Sequence, residues 1–249
     1  MLLVVGAGGV GRAVAHRLHE RGIEVGLLHH PHQRVEAAFP CWSEMESIPF
    51  AEVEGAFLCV KDSQIRSVAE RLSSYLPSEA VVIHTAGSVP LSVLSGIFGE
   101  RCGVVYPLQS FIQGQAVEWG SFPIFWEGHP QARLWAVALA QREESVYEAS
   151  SEARLRLHIG AVFTANFLNA LFQMAHTVVG PEWDWRIYLP LARTIISRLH
   201  ENSPLLLQTG PARRGDVATV AKHLAYLAHR HPDLGEIYQK VSAYIQQHF

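Results

Sequence analysis

Short apolar runs alternate with amphipathic stretches over the first 150 residues of the chain. The runs at residues 2–5, 24–28, 55–60, 80–84, 103–106, 122–126 and 143–149 predict strands, and stretches such as 64–75 predict the helices between them. Runs that are apolar at successive positions are typical of strands buried on both faces. The pattern therefore predicts an α/β domain over residues 1–150, with a doubly wound, mostly parallel sheet of the Rossmann type.

The alternation stops near Ser151, and the remaining sequence predicts helices only. Gly-Pro, Ser-Pro and His-Pro pairs at residues 180–181, 203–204, 210–211 and 231–232 separate these helices. We therefore expect a smaller all-helical domain over residues 151–249 that serves substrate binding and dimerisation. An active site is then expected in a cleft between the two domains.

The first helix of this second part, predicted over residues 152–179, is apolar on nearly every side, which predicts that it is buried. One polar stripe interrupts that surface, at His158, Asn166, Asn169, Gln173 and His176. Such a stripe needs partners, and either a ligand or a polar network in the core could supply them. A membrane-spanning helix is less favourable because these polar groups would lie inside the bilayer.

The clearest chemical motif directly follows the first strand, where GAGGVG occupies residues 6–11. Gly6 permits the tight turn, Gly8 lets the backbone approach a pyrophosphate, and Gly11 lets the helix pack closely on the sheet. Free N–H groups at the start of that helix would face the anion. The glycines could also merely close a turn. The flanking strand and helix, with a second strand at the expected distance, favour a dinucleotide site.

The segment after the second strand, HHPHQR at residues 29–34, indicates which dinucleotide binds. An acidic residue there would bind the ribose hydroxyls of NAD, and this segment has none. Arg34 could pair with a 2′-phosphate and the His side chains could donate to it, unless the segment is only a solvated loop. We therefore expect NADP (NADPH). The predicted cofactor-binding residues are Gly6, Ala7, Gly8, Gly9, Val10, Gly11, His29, His30, Arg34, Val60, Lys61, Asp62, Thr85 and Gly87.

A second polar motif, TGPARRGD, occupies residues 209–216. Asp216 predicts the N-cap of a helix over residues 217–230, and Thr219 and His223 continue one face of that helix. Arg214 would lie near the positive end of the helix, where it could hold an anionic substrate. Alternatively, Arg214 and Asp216 pair to brace the loop.

Composition narrows the class of protein. The formal net charge of −3 gives no bulk attraction to nucleic acid or to an anionic membrane, so we expect a small-molecule partner. The three cysteines have neither CxxC nor zinc spacing, which predicts neither a disulfide framework nor a metal site. The first apolar residues already form the first strand, so no leader is predicted and we expect a cytoplasmic protein.

The order of the motifs GAGGVG, FLCVKDSQI, IHTAGS, YPLQSF, LHIGAVFTAN and TGPARRGDVATVAKHL carries a resemblance. It resembles an uncharacterised bacterial family that pairs an N-terminal Rossmann-like NADP-binding domain with a C-terminal helical domain of unknown function. The layout is more distantly similar to pyrroline-5-carboxylate reductase, prephenate dehydrogenase and hydroxyisobutyrate dehydrogenase. The resemblance implies hydride transfer and a homodimer built through the helical domains.

Two positions depart from these relatives. Val162 stands four residues before Asn166, where hydroxyisobutyrate-type dehydrogenases place a catalytic Lys. Tyr106 stands where the uncharacterised family usually has His before Pro-Leu-Gln. Tyr106 could donate a proton, or it could be a buried Tyr whose hydroxyl binds the backbone.

The resulting hypothesis is an NADP-dependent oxidoreductase that acts on a small carbonyl or imine compound carrying a carboxylate. His158 would donate or accept the proton, since the pKa of an ordinary imidazole lies near neutrality. Asn166 and Gln109 would orient the reacting group, and Arg214 would hold an anion. The alternative is a non-catalytic NADP-binding sensor or partner-binding protein. The predicted catalytic residues, expected to converge on one cleft, are His158, Asn166, Gln109, Arg214, Asp216 and His223.

Overall fold

The computed structural model describes all 249 residues. The chain divides into two compact units, residues 1–165 and residues 166–249. The first unit contains every strand of the protein, and the second unit is entirely helical. The expected α/β class with a helical C-terminal part is confirmed. The division falls about one helix later than the predicted boundary at residue 150.

The first unit is built on one eight-stranded sheet in the order β3-β2-β1-β4-β5-β6-β7-β8. All neighbouring strands are parallel except β6 and β7, which are antiparallel. The strands are β1 (Leu2–Val5), β2 (Val25–Leu28), β3 (Cys41–Trp42), β4 (Gly55–Leu58), β5 (Val81–His84), β6 (Cys102–Pro107), β7 (Ile124–Gly128) and β8 (Val146–Glu148). The sequence pattern missed β3, because two residues carry no periodicity.

Helices cover both faces of this sheet. Leu2 and Val4 point into one apolar core and Leu3 and Val5 into the other, since successive side chains of a strand point to opposite faces. This arrangement is the physical reason for the uninterrupted apolar runs in the sequence. The helices of the first unit are α1 (Gly9–Glu20), α2 (Ile65–Ser73), α3 (Ser92–Phe98), α4 (Pro130–Leu139) and α5 (Ser151–Ala161).

A buried ion pair joins α5 to the sheet. The side chain of Arg154 is 1% exposed and pairs with the carboxylate of Glu127 on β7. Arg154 also donates to the carbonyl oxygen of Val89, at 2.6 Å, and Glu127 accepts from the backbone N–H of Ser151, at 2.9 Å. The hydroxyl of Ser151 accepts in turn from the N–H of Leu91, at 3.0 Å. These bonds explain why α5, which the sequence pattern assigned to the second domain, belongs to the first unit.

The second unit consists of helices α6 (Leu168–Val179), α7 (Leu189–Arg198), α8 (Pro204–Leu207), α9 (Val217–Arg230) and α10 (Pro232–His248). A π-helical segment, Val162–Phe167, joins α5 to α6. The single helix predicted over residues 152–179 is therefore continuous, but its middle part is π-helical rather than α-helical. Because a π-helical turn is wider than an α-helical turn, it displaces Asn166 from the regular stripe calculated for these polar residues.

The prediction that this long helix is buried is wrong for the single chain. No residue of α6 is buried, and Leu171 is 50% exposed. Among residues 166–249, the buried ones are Ala212, Leu227, Gly235 and Ser242. The prediction failed because an all-round apolar helix indicates only that some surface must cover it, and within the chain no surface does so.

We expect Arg154→Met to lower the free energy of unfolding by about 3 kcal/mol, because it leaves the carboxylate of Glu127 largely buried and unpaired. Denaturation in urea, followed by circular dichroism, measures the change. The matched control is Arg133→Met, since Arg133 pairs with Glu143 at an exposed position. That substitution should cost less than about 1 kcal/mol. Equal losses in the two variants would show that the Arg154 pair does not stabilise the fold.

Candidate functional site

The three glycines of the first motif have different physical roles. Gly6 has a φ of 106°, and a Cβ there would lie 2.5 Å from the carbonyl oxygen of Cys59. A Cβ on Gly11 would overlap the carbonyl oxygen of Gly6. The fold itself therefore requires these two glycines. A Cβ on Gly8 would meet nothing within 4 Å, so the space above Gly8 is open to a ligand.

The start of α1 is suited to an anion. Gly8 occupies the N-cap position, no side chain caps the helix, and no acidic residue lies in its first turn. The first N–H groups of a helix have no partner within the helix, and they carry the positive end of the helix dipole. A pyrophosphate would accept hydrogen bonds from the free N–H groups, and the positive end of the helix dipole would stabilise its negative charge.

A cavity of about 680 Å³ lies beside this turn. Seven of the predicted cofactor-binding residues line it, namely Gly6, Ala7, Gly8, His29, His30, Val60 and Lys61. Polar side chains that the sequence analysis did not select also line it, namely Gln33, Ser43, Glu44, Glu46, Gln64 and Arg71. Glu44 and Glu46 follow the two-residue strand β3. The sequence analysis could not select them, because β3 has no detectable hydrophobic pattern and the segment that follows it could therefore not be placed.

Arg34 does not line this cavity and is exposed. Its backbone carbonyl oxygen accepts from Nη2 of Arg12, at 2.9 Å, and Nε of Arg12 donates to the carbonyl oxygen of Ala7, at 3.0 Å. Arg12 thereby ties the segment after β2 to the glycine turn. The role of Arg34 toward a 2′-phosphate stays a prediction, and His29, His30 and Gln33 are the residues of its segment in the cavity.

The other predicted cofactor residues lie around the cavity rather than in its lining. Gly9 lies against the loop after β6, where its Cβ would be 2.6 Å from the carbonyl oxygen of Phe111. Val10 packs on the apolar core of the first unit. Burial raises the pKa of the Cys59 thiol and Thr85 opposes this shift, and Asp62 accepts from the hydroxyl of Ser88. These contacts hold together the loops that follow β4 and β5.

The carboxyl end of β6 presents a Tyr–His pair. The hydroxyl oxygen of Tyr106 lies 3.0 Å from Nδ1 of His158 on α5. Their rings meet edge to face, with centroids 5.8 Å apart. A Cβ on Gly87 would lie 2.7 Å from Nδ1 of His158 and 2.8 Å from Cζ of Tyr106. Glycine at position 87 is therefore what allows the loop after β5 to pack against both rings.

Burial controls the protonation of Tyr106. It raises the pKa of the Tyr106 hydroxyl to about 12, although the positive charge of Arg154 opposes the shift. The hydroxyl is thus protonated at neutral pH and carries a proton that it can donate. His158, predicted from the sequence, acquires a partner here. The sequence analysis did not pair Tyr106 with His158; it expected either a proton donor or a buried Tyr whose hydroxyl binds the backbone.

His84 ends β5 and Gln109 follows β6, and both side chains have local hydrogen bonds. The side-chain oxygen of Gln109 accepts from the N–H of Ser110, at 2.8 Å. His84 is fully buried, and Nδ1 accepts from the N–H of Ala86, at 3.2 Å. Burial lowers the pKa of His84 to about 3, and the charge of Arg154 acts in the same direction. His84 is therefore neutral, and it supports the loop after β5.

The predicted residues of the second unit form their own group. Asp216 caps α9, accepting from the N–H of Thr219 at 3.0 Å and from its hydroxyl at 2.8 Å. These bonds hold the pKa of Asp216 below its usual range. Nδ1 of His223 lies 2.8 Å from the hydroxyl oxygen of Tyr238. Arg214 is exposed and forms no ion pair with Asp216, so the braced-loop alternative is not what the structure shows.

Asn166 is exposed, as are Asn169 and Gln173. Residues 209–212 of the second motif line an apolar cavity of about 500 Å³, together with side chains of α6, α9 and α10. His158 meets Tyr106 and Gly87 within the first unit, whereas Asp216 and His223 lie in the second. The predicted convergence of all six catalytic residues on one cleft stays a prediction.

Comparison with known protein families also gives two parts, but the second begins at residue 122, within the first compact unit. Residues 2–100 match the model described as ketopantoate reductase PanE/ApbA. Residues 122–245 match the model of a domain of unknown function, DUF2520. These matches confirm the resemblance drawn from the motifs, namely a Rossmann-like N-terminal part followed by a helical domain of unknown function. No curated protein matches the chain.

Several solved structures are similar over nearly the whole chain. A Bacteroides fragilis protein, named as an NADP oxidoreductase, is 27% identical, with a TM-score of 0.85 over 99% of this chain and 97% of that one. A Thermotoga maritima protein is 16% identical, with a TM-score of 0.65 over 99% and 97%. A reductive aminase from Aspergillus terreus, solved with NADPH and ethyl levulinate, is 15% identical, with a TM-score of 0.68 over 99% and 92%. At these lower identities the last two show the fold alone.

We expect Gly8→Val to fold normally and to lose dinucleotide binding, because its side chain would enter the open space beside the start of α1. Titration with NADPH, followed by fluorescence, measures binding, and thermal unfolding measures folding. The matched control is Gly96→Val on α3, where a Cβ also meets nothing within 4 Å. A Gly8→Val protein that binds NADPH as tightly as the control would place the dinucleotide elsewhere.

Proposed function

We propose that this chain is an NADP-dependent oxidoreductase that transfers a hydride to or from a small carbonyl or imine compound carrying a carboxylate. The observation that carries the proposal is the position of the Tyr106–His158 pair. β1, β4, β5 and β6 are parallel, so the glycine turn after β1 and Tyr106 at the end of β6 lie at the same edge of the sheet. Ligands of open α/β sheets bind at this edge.

The residues present fit a dinucleotide. The open space over Gly8, the uncapped start of α1 and the cavity of about 680 Å³ together provide room and donors for it. His29, His30 and Lys61 line that cavity and supply donors for phosphate groups. The similarity to the Bacteroides fragilis NADP oxidoreductase supports NADP as the cofactor. When bound, the nicotinamide ring supplies or accepts the hydride.

The protein would move the proton. When a hydride adds to a carbonyl carbon, negative charge develops on the oxygen, and a proton must reach that atom. The Tyr106 hydroxyl, whose pKa is about 12, is protonated and can donate to the developing alkoxide oxygen or to the imine nitrogen. Nδ1 of His158, at 3.0 Å, can hydrogen-bond the resulting phenolate and return a proton to it. In the reverse direction the same pair accepts the proton.

The remaining predicted residues have roles in this proposal that depend on the helical unit. Gln109 and Asn166 would orient the reacting group, and Arg214 would hold the carboxylate, with Asp216 and His223 supporting it. The runner-up function is a non-catalytic NADP-binding sensor. It is favoured by Val162, which stands where related dehydrogenases carry a catalytic Lys.

We expect Tyr106→Phe to lower kcat by at least about 100-fold, since general acid catalysis contributes about 10²–10⁴-fold. Turnover is measured as NADPH consumption with a panel of 2-oxo acids and aldehydes, each with and without an amine. NADPH affinity should be unchanged, because Tyr106 does not line the dinucleotide cavity. Tyr75→Phe, at an exposed tyrosine two residues beyond the end of α2, is the control. NADPH binding without turnover of any compound would favour the sensor.

We also propose that a second copy of the chain covers the helical unit. Many large apolar side chains on α6 through α10 are exposed. Exposed examples are Leu171, Leu191, Ile195, Leu206, Val241 and Tyr244. An exposed apolar surface of this kind is typical of an obligate protein–protein interface. Homodimers are the commonest proteins with such an interface.

A membrane is the other possible cover, since Ser151–Val179 is long and apolar enough to cross one. Two observations favour the second copy. Asn166, Asn169 and Gln173 would be costly inside a bilayer. The exposed apolar side chains are also spread over several helices rather than confined to that one.

We expect light scattering to give twice the chain mass of 27.7 kDa. Leu191→Glu, at a residue that is 62% exposed on α7, should weaken or abolish the dimer because it introduces a charge into the interface. The control is Leu134→Glu, at a residue that is 54% exposed on α4 of the first unit, which should stay dimeric. A wild-type protein that is monomeric in the absence of detergent would overturn the proposal.

A further inference from the structure

A row of aromatic rings crosses the sheet from the Tyr–His pair to its outer edge. Tyr106, Phe125 and Tyr147 occupy directly paired positions on β6, β7 and β8. The ring centroids of Tyr106 and Phe125 are 6.4 Å apart, and those of Phe125 and Tyr147 are 5.8 Å apart. Because paired residues project from the same face, the three rings form one continuous surface that begins at His158.

This surface becomes progressively more exposed away from His158. Tyr106 is buried, Phe125 is half-buried, and Tyr147 is 49% exposed. The contact with Phe125 stabilises the sheet through one side of the Tyr147 ring. The rest of the ring is exposed, so a flat group could pack against it.

A shallow cavity of about 480 Å³ lies against the outer two rings. Its apolar lining is Phe122, Pro123, Phe125 and Tyr147, and its polar lining is limited to Ser121, Ser145 and the backbone of Gly120. The hydroxyls of Ser121 and Ser145 already donate to the carbonyl oxygens of Glu118 and Arg142. No charged side chain lines the cavity, so it suits a neutral, flat, apolar group.

We propose that this aromatic shelf, formed by Phe125 and Tyr147, binds an aromatic substituent of the substrate whose carbonyl or imine group reacts at Tyr106 and His158. The inference rests on the proposed function, because it takes the Tyr–His pair as the reacting end of the site. The spacing between Tyr106 and Phe125 suits a ring joined to the reacting carbon through one or two methylene groups. Offset or edge contacts with Phe125 and Tyr147 would then favour a ring over an alkyl chain of similar area.

The test compares ring-bearing and ring-free compounds of the same reactivity. With NADPH saturating, phenylpyruvate is compared with pyruvate, and 2-oxo-4-phenylbutyrate with 2-oxobutyrate, by kcat/KM. We expect the ring-bearing member of each pair to be favoured by about tenfold or more. Tyr147→Ala should reduce the ratio to near one, mainly through KM. The control Leu134→Ala removes an equally exposed apolar side chain from α4 and should leave the ratio unchanged.

A binding measurement separates this inference from the proposed function. Calorimetry gives the Kd of phenylpyruvate for the NADPH-loaded protein, with or without turnover. If no compound is turned over but phenylpyruvate binds and Tyr147→Ala weakens it about tenfold, the shelf stands and the oxidoreductase proposal fails. If compounds are turned over with no preference for a ring, and Tyr147→Ala changes nothing, the oxidoreductase stands and the shelf is overturned. Because Tyr147 is exposed, Tyr147→Ala should fold.

Discussion

The site in the first unit depends on one buried charge pair. Arg154 has to be neutralised because its guanidinium is almost completely buried, and Glu127 on β7 does so. This fixes the first turn of α5 against the sheet. His158 lies one helical turn further along the same face, so the pair also determines where the imidazole meets Tyr106. The charge of Arg154 influences the site a second time, since it opposes protonation of the buried His84.

The glycines around this site serve two separate purposes, which the geometry distinguishes. Gly6 and Gly11 are required by close backbone contacts within the turn, and Gly87 by the two rings of the Tyr–His pair. Gly8 is the exception, since nothing in the protein occupies the space that its side chain would fill. The same glycine pattern thus combines residues that shape the fold with one residue that leaves room for a ligand.

The helical unit follows a different constraint. Its residues bury very little apolar surface among themselves, and Ala212 and Leu227 are the buried apolar side chains of the unit. Such a segment gains little from burial of its own and needs a covering surface to offset the loss of chain entropy. The second copy that we propose would supply that surface.

The sequence alone predicted the parallel sheet, the glycine turn and the helical second part. Each of these has a local signature, such as a continuous apolar run, a fixed glycine spacing or a helical period. Tertiary structure decided that α5 belongs to the first unit, that Glu44 and Glu46 line the cavity beside the glycine turn, and that Tyr106 meets His158. It also showed that α6 is exposed in the single chain. Local sequence patterns could not reveal these features, because each one depends on a contact between segments that are distant in the sequence. Hydrophobic periodicity shows that a surface needs a partner but does not show which segment is that partner.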